Sequence, residues 1–240
     1  MKLLENRVAI ISGGTGALGR AVADHFVNEG ARLAIPWVVE PEVPMLKQRL
    51  GNRFSDANVF LKRADVGDEA QIGSFVNDAV AKFGKVDILI NLVGGFWGGK
   101  SIAETSQAEW QAMFDINLKP TFLCCRAVVP AMKKNSYGRI VSVSSRTGLL
   151  GAGDFAAYAV AKGAIATFTV SLAEEVLPDN ILVNAIAPST IDTEANRAAM
   201  PKAKHENWVK PEDIARTLAF LCSEENRVTS GTVVPVYGRA

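Results

Sequence analysis

The stretch from Arg7 to Gly30, RVAIISGGTGALGRAVADHFVNEG, decides the fold. Residues 7–11 predict a buried strand, because the four residues after Arg7 are apolar and three of them are β-branched. The glycine-rich segment 12–19 follows at once, and the residues after it carry apolar side chains at helical spacing. Strand, glycine turn and helix in this order are typical of a dinucleotide-binding unit, in which a pyrophosphate approaches the helix N-terminus. A glycine-rich turn that binds no ligand is the alternative.

Strand-like and helix-like segments alternate along the rest of the chain. This alternation predicts an α/β fold, a doubly wound parallel β-sheet of about seven strands with helices on both faces. We expect one Rossmann-type domain over residues 1–240, with ligands at the carboxyl ends of the strands. The predicted strands are 7–11, 31–39, 58–65, 86–95, 138–145, 180–189 and 231–238, and the predicted helices are 19–29, 69–83, 108–134, 155–176 and 211–221.

Composition excludes several classes of function. A net charge of +1 gives no electrostatic reason to expect nucleic acid or a membrane surface as partner. The longest apolar runs have the length of strands, so no membrane span is expected. Polar residues 5–7 come too early for a signal-peptide core, and the three cysteines lack disulfide or zinc spacing. We therefore expect a cytoplasmic protein with reduced cysteines, and no metal site because both histidines stand alone.

Tyr158 and Lys162 form the most informative pair of side chains. They stand four residues apart in YAVAK, inside a predicted helix, so they lie on the same helical face. A fixed ammonium favours the phenolate and lowers the pKa of a nearby Tyr from its usual value near ~10. The pair therefore predicts a proton donor that works near neutral pH. A packing role for Tyr158 at a helix–helix contact is the alternative.

Further motifs follow the predicted strands. Asn91 and Gly94 follow the fourth strand, Ser144 and Ser145 follow the fifth, and a Pro–x–x–Ile–x–Thr motif begins at Pro188 after the sixth. Ser145 precedes Tyr158 by thirteen residues. In this order, the glycine turn and these motifs resemble the short-chain dehydrogenase/reductase family, from Arg7 to Gly238.

The resemblance implies an oxidoreductase that uses NAD or NADP and a small-molecule substrate. Tyr158 would exchange a proton with the substrate, Lys162 would lower its pKa and hold the nicotinamide ribose, and Ser145 would orient the carbonyl. Asn117 would support a proton relay through water to Lys162. The implied cofactor-binding residues are Ser12, Gly13, Thr15, Gly16, Leu18, Gly19, Trp37, Asp65, Val66, Asn91, Gly94, Tyr158, Lys162, Pro188, Ile191 and Thr193.

Some of these implied roles have alternatives. Asp65 would bind the adenine amine or else start the next helix, and Ile191 and Thr193 would hold the carboxamide. Asn117 could instead be a helix N-cap. Ser145 could cap the end of the strand, with Ser144 in the substrate-binding role.

Several positions depart from the family pattern, among them Tyr237 and Arg239 near the end of the chain, where the family often has Asp and Gly. Ala17 replaces the usual second glycine of the turn, which is tolerable if its backbone is not left-handed. Trp37 stands at the end of the second strand, where an Asp would bind the adenosine ribose and favour NAD. Val38 and Val39 follow, so no base stands there to accept a 2′-phosphate. The choice between NAD and NADP stays open.

The loop GGFWGG, residues 94–99, and the segment after Ser189 locally resemble dihydropteridine reductase, a divergent member of the family. Phe96 or Trp97 could stack on a flat ring of the substrate, or could pack the loop against the next helix. We therefore expect a generic carbonyl or hydroxyl substrate first and a quinonoid dihydropterin second. A non-catalytic dinucleotide sensor is the alternative from another class, although such a protein would be expected to lose Tyr158, Lys162 or Ser145.

Two long apolar segments bear on assembly. Residues 122–132 and 161–172 are apolar or small around much of the helix, which predicts burial on more than one side. We expect a homodimer or homotetramer built on these helices. Residues 193–210 should form a substrate lid, in which Met200, His205 and Trp208 either face the ligand or pack the lid.

Overall fold

A single parallel sheet organises the protein in this computed structural model, which describes residues 2–239. Its order is β3-β2-β1-β4-β5-β6-β7, and each described pair is parallel. The direction of the order reverses between β1 and β4, which is where a doubly wound sheet opens a ligand crevice. The strands are β1 (Val8–Ser12), β2 (Arg32–Trp37), β3 (Val59–Arg63), β4 (Ile88–Asn91), β5 (Gly138–Val143), β6 (Ile181–Pro188) and β7 (Val233–Val236).

Eight α-helices cover the sheet in the described residues. Each of the five predicted helices is present to within two residues at either end, as expected for long apolar-periodic segments. Three short helices were not predicted, because they bury few side chains and so carry no apolar stripe. The helices are α1 (Ala17–Asn28), α2 (Glu42–Leu50), α3 (Glu69–Phe83), α4 (Gln107–Lys134), α5 (Arg146–Leu150), α6 (Ala156–Val176), α7 (Glu194–Ala199) and α8 (Pro211–Cys222).

The helices form a layer on each face of the sheet. Helices α1, α2 and α8 pack on one face and α3, α4 and α6 on the other. The side chains of β1 alternate between the two cores: Ile11 packs with Phe26 of α1, and Ile10 packs with Phe75 of α3. Both faces of the strand are buried, which explains its continuous apolar run. The doubly wound parallel sheet predicted from the sequence is therefore confirmed.

Helix α6 and the turn after it are more apolar than the sequence analysis allowed. Among residues 2–239, only the segment Ala156–Asp179 is long and apolar enough to cross a membrane, with a mean hydropathy of 1.4. The expectation that apolar runs are only strand-length is wrong here. The helix packs against α4, α5 and β6, and 44% of its most apolar window is buried, so packing within the fold accounts for part of its composition.

Candidate active site

The turn between β1 and α1 has the close packing that a dinucleotide needs. Gly13 has a φ of +71°, and the Gly16 N–H donates to the Gly13 carbonyl at 3.1 Å. A Cβ on Gly19 would lie 2.0 Å from the Gly13 oxygen, so only glycine fits. No side chain caps α1 at Gly16, and the first N–H groups of a helix lack intrahelical partners. The turn therefore presents free N–H groups to an anion.

Ala17 does not disturb this turn. It is the first residue of α1, and its side chain is exposed. Its backbone is not among those with positive φ. The condition under which a methyl is tolerable is therefore met.

The ends of β5 and α6 are joined by two hydrogen bonds and by the pairing of two hydroxyl groups. The Ser145 hydroxyl lies beside the Tyr158 phenol and acts to lower its pKa. The Lys162 Nζ donates to the Val143 carbonyl at 2.9 Å, and the Ser144 hydroxyl donates to the Lys162 carbonyl at 2.8 Å. Ser145, not Ser144, therefore faces Tyr158, and Ser144 fixes the helix. Ser145 also caps α5, since its Oγ accepts from the Thr147 N–H at 3.1 Å.

Asn117 and Lys162 meet at Gly94. Asn117 lies in the middle of α4 and is not an N-cap; its Oδ1 accepts from the Gly95 N–H at 3.2 Å and its Nδ2 donates to the Gly95 carbonyl at 3.1 Å. A Cβ on Gly94 would lie 2.7 Å from the Asn117 Oδ1 and 3.1 Å from the Lys162 Nζ. Glycine at position 94 thus allows the amide and the ammonium to approach the same point. Gly94 and Lys162 line a cleft, and Asn117 lies buried behind Gly94.

Burial dominates the ionisation of Tyr158 and Lys162. Desolvation raises the pKa of Tyr158 above its ordinary value, and the neighbouring Ser145 hydroxyl acts in the opposite direction. Desolvation lowers the pKa of Lys162 to about 8. The expectation of a lowered pKa for Tyr158 is wrong for this structure, because burial is the largest effect on the phenol. The Lys162 ammonium is directed at the Val143 carbonyl.

Gly94, Ser145, Tyr158 and Lys162 border a cleft at the carboxyl ends of β4, β5 and β6. Its volume is about 530 Å³, within the range of about 300–1,000 Å³ that is usual for small-molecule sites. Its charged lining residues are Lys162 and Arg146. The lining residues are Leu18, Leu92, Gly94, Gly95, Phe96, Val143, Ser144, Ser145, Arg146, Thr147, Tyr158, Lys162, Pro188, Ser189, Thr190, Ile191, Asn196 and Met200.

Several predicted cofactor residues have side chains outside this cleft. The Asn91 Nδ2 donates to the Ser142 hydroxyl at 3.1 Å in the core, and Ser12 is hydrogen-bonded to the buried Cys124. Thr193 caps α7, since its Oγ1 accepts from the Asn196 N–H at 3.2 Å. Their side chains therefore hold the walls of the site in place, whereas Ile191 and Pro188 line it.

The residues expected at the adenosine end lie around the loops that follow β2 and β3. Trp37 is half-buried at the end of β2 and Val66 is buried. Asp65 is exposed, and its Oδ1 accepts from the Gly67 N–H at 2.8 Å. Asp68, not Asp65, caps α3. The carboxylate of Asp65 is thus left at the surface, where an adenine amine could reach it.

The two aromatic residues of the GGFWGG loop lie on different sides of Tyr158. Phe96 stacks on Phe155 with centroids 5.3 Å apart and meets the edge of Tyr158 at 4.9 Å. It packs the loop against the start of α6, lines the cleft and has 62% of its surface exposed. Trp97 borders a separate pocket of about 80 Å³. Phe96 therefore packs against α6, and its stacking on a substrate ring stays a prediction.

Of the three residues named in the predicted lid, one lines the cleft and two pack against each other. Met200 lines the cleft. His205 lies 4.4 Å from Trp208 between ring centroids, and its Nε2 is hydrogen-bonded to the Met200 carbonyl at 2.9 Å. Trp208 is buried. His205 and Trp208 therefore pack against each other within the predicted lid, and Met200 is the one of the three that lines the cleft.

Sequence reasoning did not identify three residues near the site. Arg146 and Asn196 line the cleft, and Glu42 accepts from the Thr15 hydroxyl at 2.7 Å. The position of Arg146 directly after Ser145 could have indicated its place. The Pro41–Glu42 pair resembles the Pro–Glu–Asp start of α8 and could have indicated α2.

The chain belongs to the short-chain dehydrogenase family, whose model matches residues 7–204. It is 32% identical to a (2S)-[(R)-hydroxy(phenyl)methyl]succinyl-CoA dehydrogenase subunit from Thauera aromatica, over 98% of this chain and 96% of the relative. It is also 32% identical to a 3α-hydroxysteroid dehydrogenase from Mediterraneibacter gnavus, over 99% and 98% of the two chains. A 3-oxoacyl-[acyl-carrier-protein] reductase from Escherichia coli is 31% identical over 98% and 97%.

Solved structures agree with this assignment. The crystal structure of levodione reductase superposes with a TM-score of 0.92 and 31% identity, over 98% of this chain and 97% of that one. The structure of ElxO with NADP bound has a TM-score of 0.89 and 27% identity, over 97% of both chains. The protein is an NAD(P)-dependent oxidoreductase with a Rossmann-type fold. The close backbone packing at Gly19 and Gly94, where a Cβ would not fit, suits the binding of such a cofactor.

Proposed function

We propose that the protein interconverts a carbonyl and a hydroxyl group on a small-molecule substrate, with Tyr158 as general acid and base. The placement of the Ser145 hydroxyl beside the Tyr158 phenol carries this proposal. It lies at a cleft of about 530 Å³, one helical turn from the buried Lys162. The relatives are named for different substrates, so dehydrogenase or reductase chemistry is what they share.

The chain's own residues move the proton. Bound NAD(P) supplies or accepts the hydride at the substrate carbon. In reduction, Ser145 donates a hydrogen bond to the carbonyl oxygen and Tyr158 gives it the proton. The phenolate that forms on Tyr158 is stabilised by the Lys162 ammonium, which the Val143 carbonyl holds near the cleft. In oxidation the same phenol takes the proton from the hydroxyl group.

Replacing Tyr158 by Phe tests this role directly. We expect Tyr158→Phe to lower kcat by about a hundredfold or more, since general acid–base catalysis contributes roughly 10²–10⁴. Dinucleotide affinity, measured by titration calorimetry, should stay within about threefold of the wild type. Tyr237→Phe removes a phenol outside the cleft lining and serves as the control. A non-catalytic sensor would show no turnover to lose, and wild-type turnover in Tyr158→Phe would contradict the proposal.

A pterin substrate is the second candidate, and the exposed Phe96 favours it. Its ring lies edge-on to Tyr158 at 4.9 Å and is 62% exposed, so a flat ring could stack beside the proton donor. We expect Phe96→Leu to raise the KM for quinonoid dihydropterin and to leave that for an aliphatic ketone unchanged. Turnover of ketones without turnover of the pterin would remove this candidate.

A further inference from the structure

The end of β2 and the start of α2 form an acidic corner beside the glycine turn. Trp37 ends the strand, and the five residues after it contain Glu40 and Glu42 and no base. The Thr15 hydroxyl donates to Glu42 Oε2 at 2.7 Å. Thr15 is 4% exposed, so its position in the turn is fixed. The hydrogen bond therefore holds the Glu42 carboxylate against the turn that precedes α1.

The glycine turn and β2 are in direct contact. The Glu42 carboxylate, which is bonded to the turn, therefore lies near the part of the sheet where the adenosine half of a dinucleotide would bind. Strands β1 and β2 are neighbours in the sheet, and a Cβ on Gly14 would lie 2.8 Å from Ile35 Cγ2. With the pyrophosphate at the start of α1, the adenosine ribose lies over the carboxyl end of β2. An acid at that point accepts hydrogen bonds from the ribose hydroxyls and repels a 2′-phosphate.

We propose that Glu42 supplies this acid and selects NAD(H) over NADP(H). The usual strand-end position is occupied by Trp37, and the carboxylate comes instead from the first residue of α2. The proposal rests on the proposed function, because it assumes that a dinucleotide binds at the turn. It adds the cofactor preference, which the sequence leaves open.

Arg20 is a cation that contacts the same turn as Glu42, so its charge also acts on a bound dinucleotide. Arg20 donates through NH1 to the Thr15 carbonyl at 2.7 Å. Thr15 thus holds a carboxylate by its hydroxyl and a guanidinium by its carbonyl. A 2′-phosphate at this point would meet the Glu42 charge, whereas a ribose diol would find an acceptor in Glu42. Arg20 is therefore expected to act on the pyrophosphate side and not to favour NADPH.

Equilibrium binding tests the proposal without relying on turnover. We expect the wild type to bind NADH about tenfold or more tightly than NADPH by titration calorimetry. Glu42→Gln keeps the size of the side chain and removes its charge, so it should lower this preference about fivefold or more. Glu42→Arg should reverse the preference. Arg20→Gln should change the affinities for both nucleotides by a similar factor.

Glu224→Gln is the matched control. It makes the same charge change at an exposed carboxylate that pairs with Arg7, next to the amino end of β1, and should leave the preference unchanged. Equal affinity of the wild type for NADH and NADPH, or an unchanged preference in both Glu42 variants, overturns the proposal. Loss of NADPH affinity alone in Arg20→Gln also overturns it. Absence of binding of either nucleotide overturns the proposed function itself. Thermal unfolding of each variant confirms that it folds.

Discussion

Gly148 of α5 and Gly163 of α6 are in backbone contact. A Cβ on Gly148 would lie 2.8 Å from the Gly163 nitrogen, and a Cβ on Gly163 would lie 2.9 Å from the Gly148 oxygen. Ser145 caps α5, and Tyr158 lies in the first turn of α6. The contact between the two glycines therefore sets the separation between the two hydroxyl groups of the site.

Gly148→Ala should impair catalysis more than folding. The added methyl must push α5 away from α6, because its nearest neighbours are two backbone atoms and the Lys162 Cβ, all at 2.8 Å. A displacement of about 1 Å between Ser145 and Tyr158 is expected to lower kcat by about ten- to a hundredfold. Gly153→Ala is the control, since a Cβ there has no heavy atom within 4 Å. Steady-state kinetics compare the two variants, and wild-type kcat in Gly148→Ala would show that the contact does not position the hydroxyls.

The rate of reduction should respond to the ionisation of Lys162. Burial lowers its pKa to about 8. Below that pH the ammonium is charged and stabilises the phenolate that forms on Tyr158; above it the charge is lost. We therefore expect kcat/KM for reduction, measured across pH 6–10 (about two units on either side of the break), to be level below about pH 8 and to fall above it.

Lys162→Arg distinguishes this cause from general alkaline inactivation. The guanidinium stays charged to a pH above about 12. The kcat/KM of the Lys162→Arg variant is expected to be lower than that of the wild type, because the larger guanidinium must fit a buried site. Its pH profile should nevertheless show no break near pH 8. A break at the same pH in both proteins would assign it to another group.

The same burial should cost stability. Lys162 is 6% exposed, and its pKa falls from 10.5 to about 8 on folding. Below pH 8 the folded protein carries the full penalty of the buried charge; the penalty decreases as pH rises toward 10.5, where both states are neutral. At about 1.4 kcal/mol per unit the shift corresponds to roughly 3 kcal/mol.

Lys162→Met should therefore raise the free energy of unfolding at pH 7 while abolishing activity. We expect a gain of about 1–3 kcal/mol, since the lost bond to the Val143 carbonyl offsets part of the relief. Urea unfolding at several pH values measures it, and the gain should decrease from pH 8 to pH 10.5. A variant less stable than the wild type at pH 7 would show that hydrogen bonding outweighs desolvation.

The sequence predicts the parts of the fold whose signal is local. The strand, turn and helix of residues 7–30 follow from apolar spacing and glycines, and the helix around Tyr158 follows from its length. Helix α5 was missed because five residues with none buried leave no periodic pattern. Ser145 and Tyr158 could be assigned to one site because their spacing in the sequence resembles the pattern of the short-chain dehydrogenase/reductase family.

Other features of the site depend on contacts that a linear pattern does not contain. The bond between Thr15 and Glu42 joins residues 27 positions apart through α2, which was itself not predicted. The pKa of Tyr158 has the opposite direction to the one expected, because burial is a property of the folded chain. Asn91 matches a family motif, yet its side chain lies in the core.

Assembly through α4 and α6 is the last prediction, and Val170 is the residue that tests it. Phe122, Val160 and Val170 are apolar side chains on these two helices and are 44%, 46% and 45% exposed. Val170→Glu would place a charge in the predicted interface, where burying it without a partner is costly. We expect light scattering at micromolar concentration to show a dimer or tetramer for the wild type and a smaller species for the variant. Val228→Glu is the control, because Val228 is 89% exposed and lies outside both helices. A monomeric wild type, or a Val170→Glu variant that assembles unchanged, would contradict an interface built on α4 and α6.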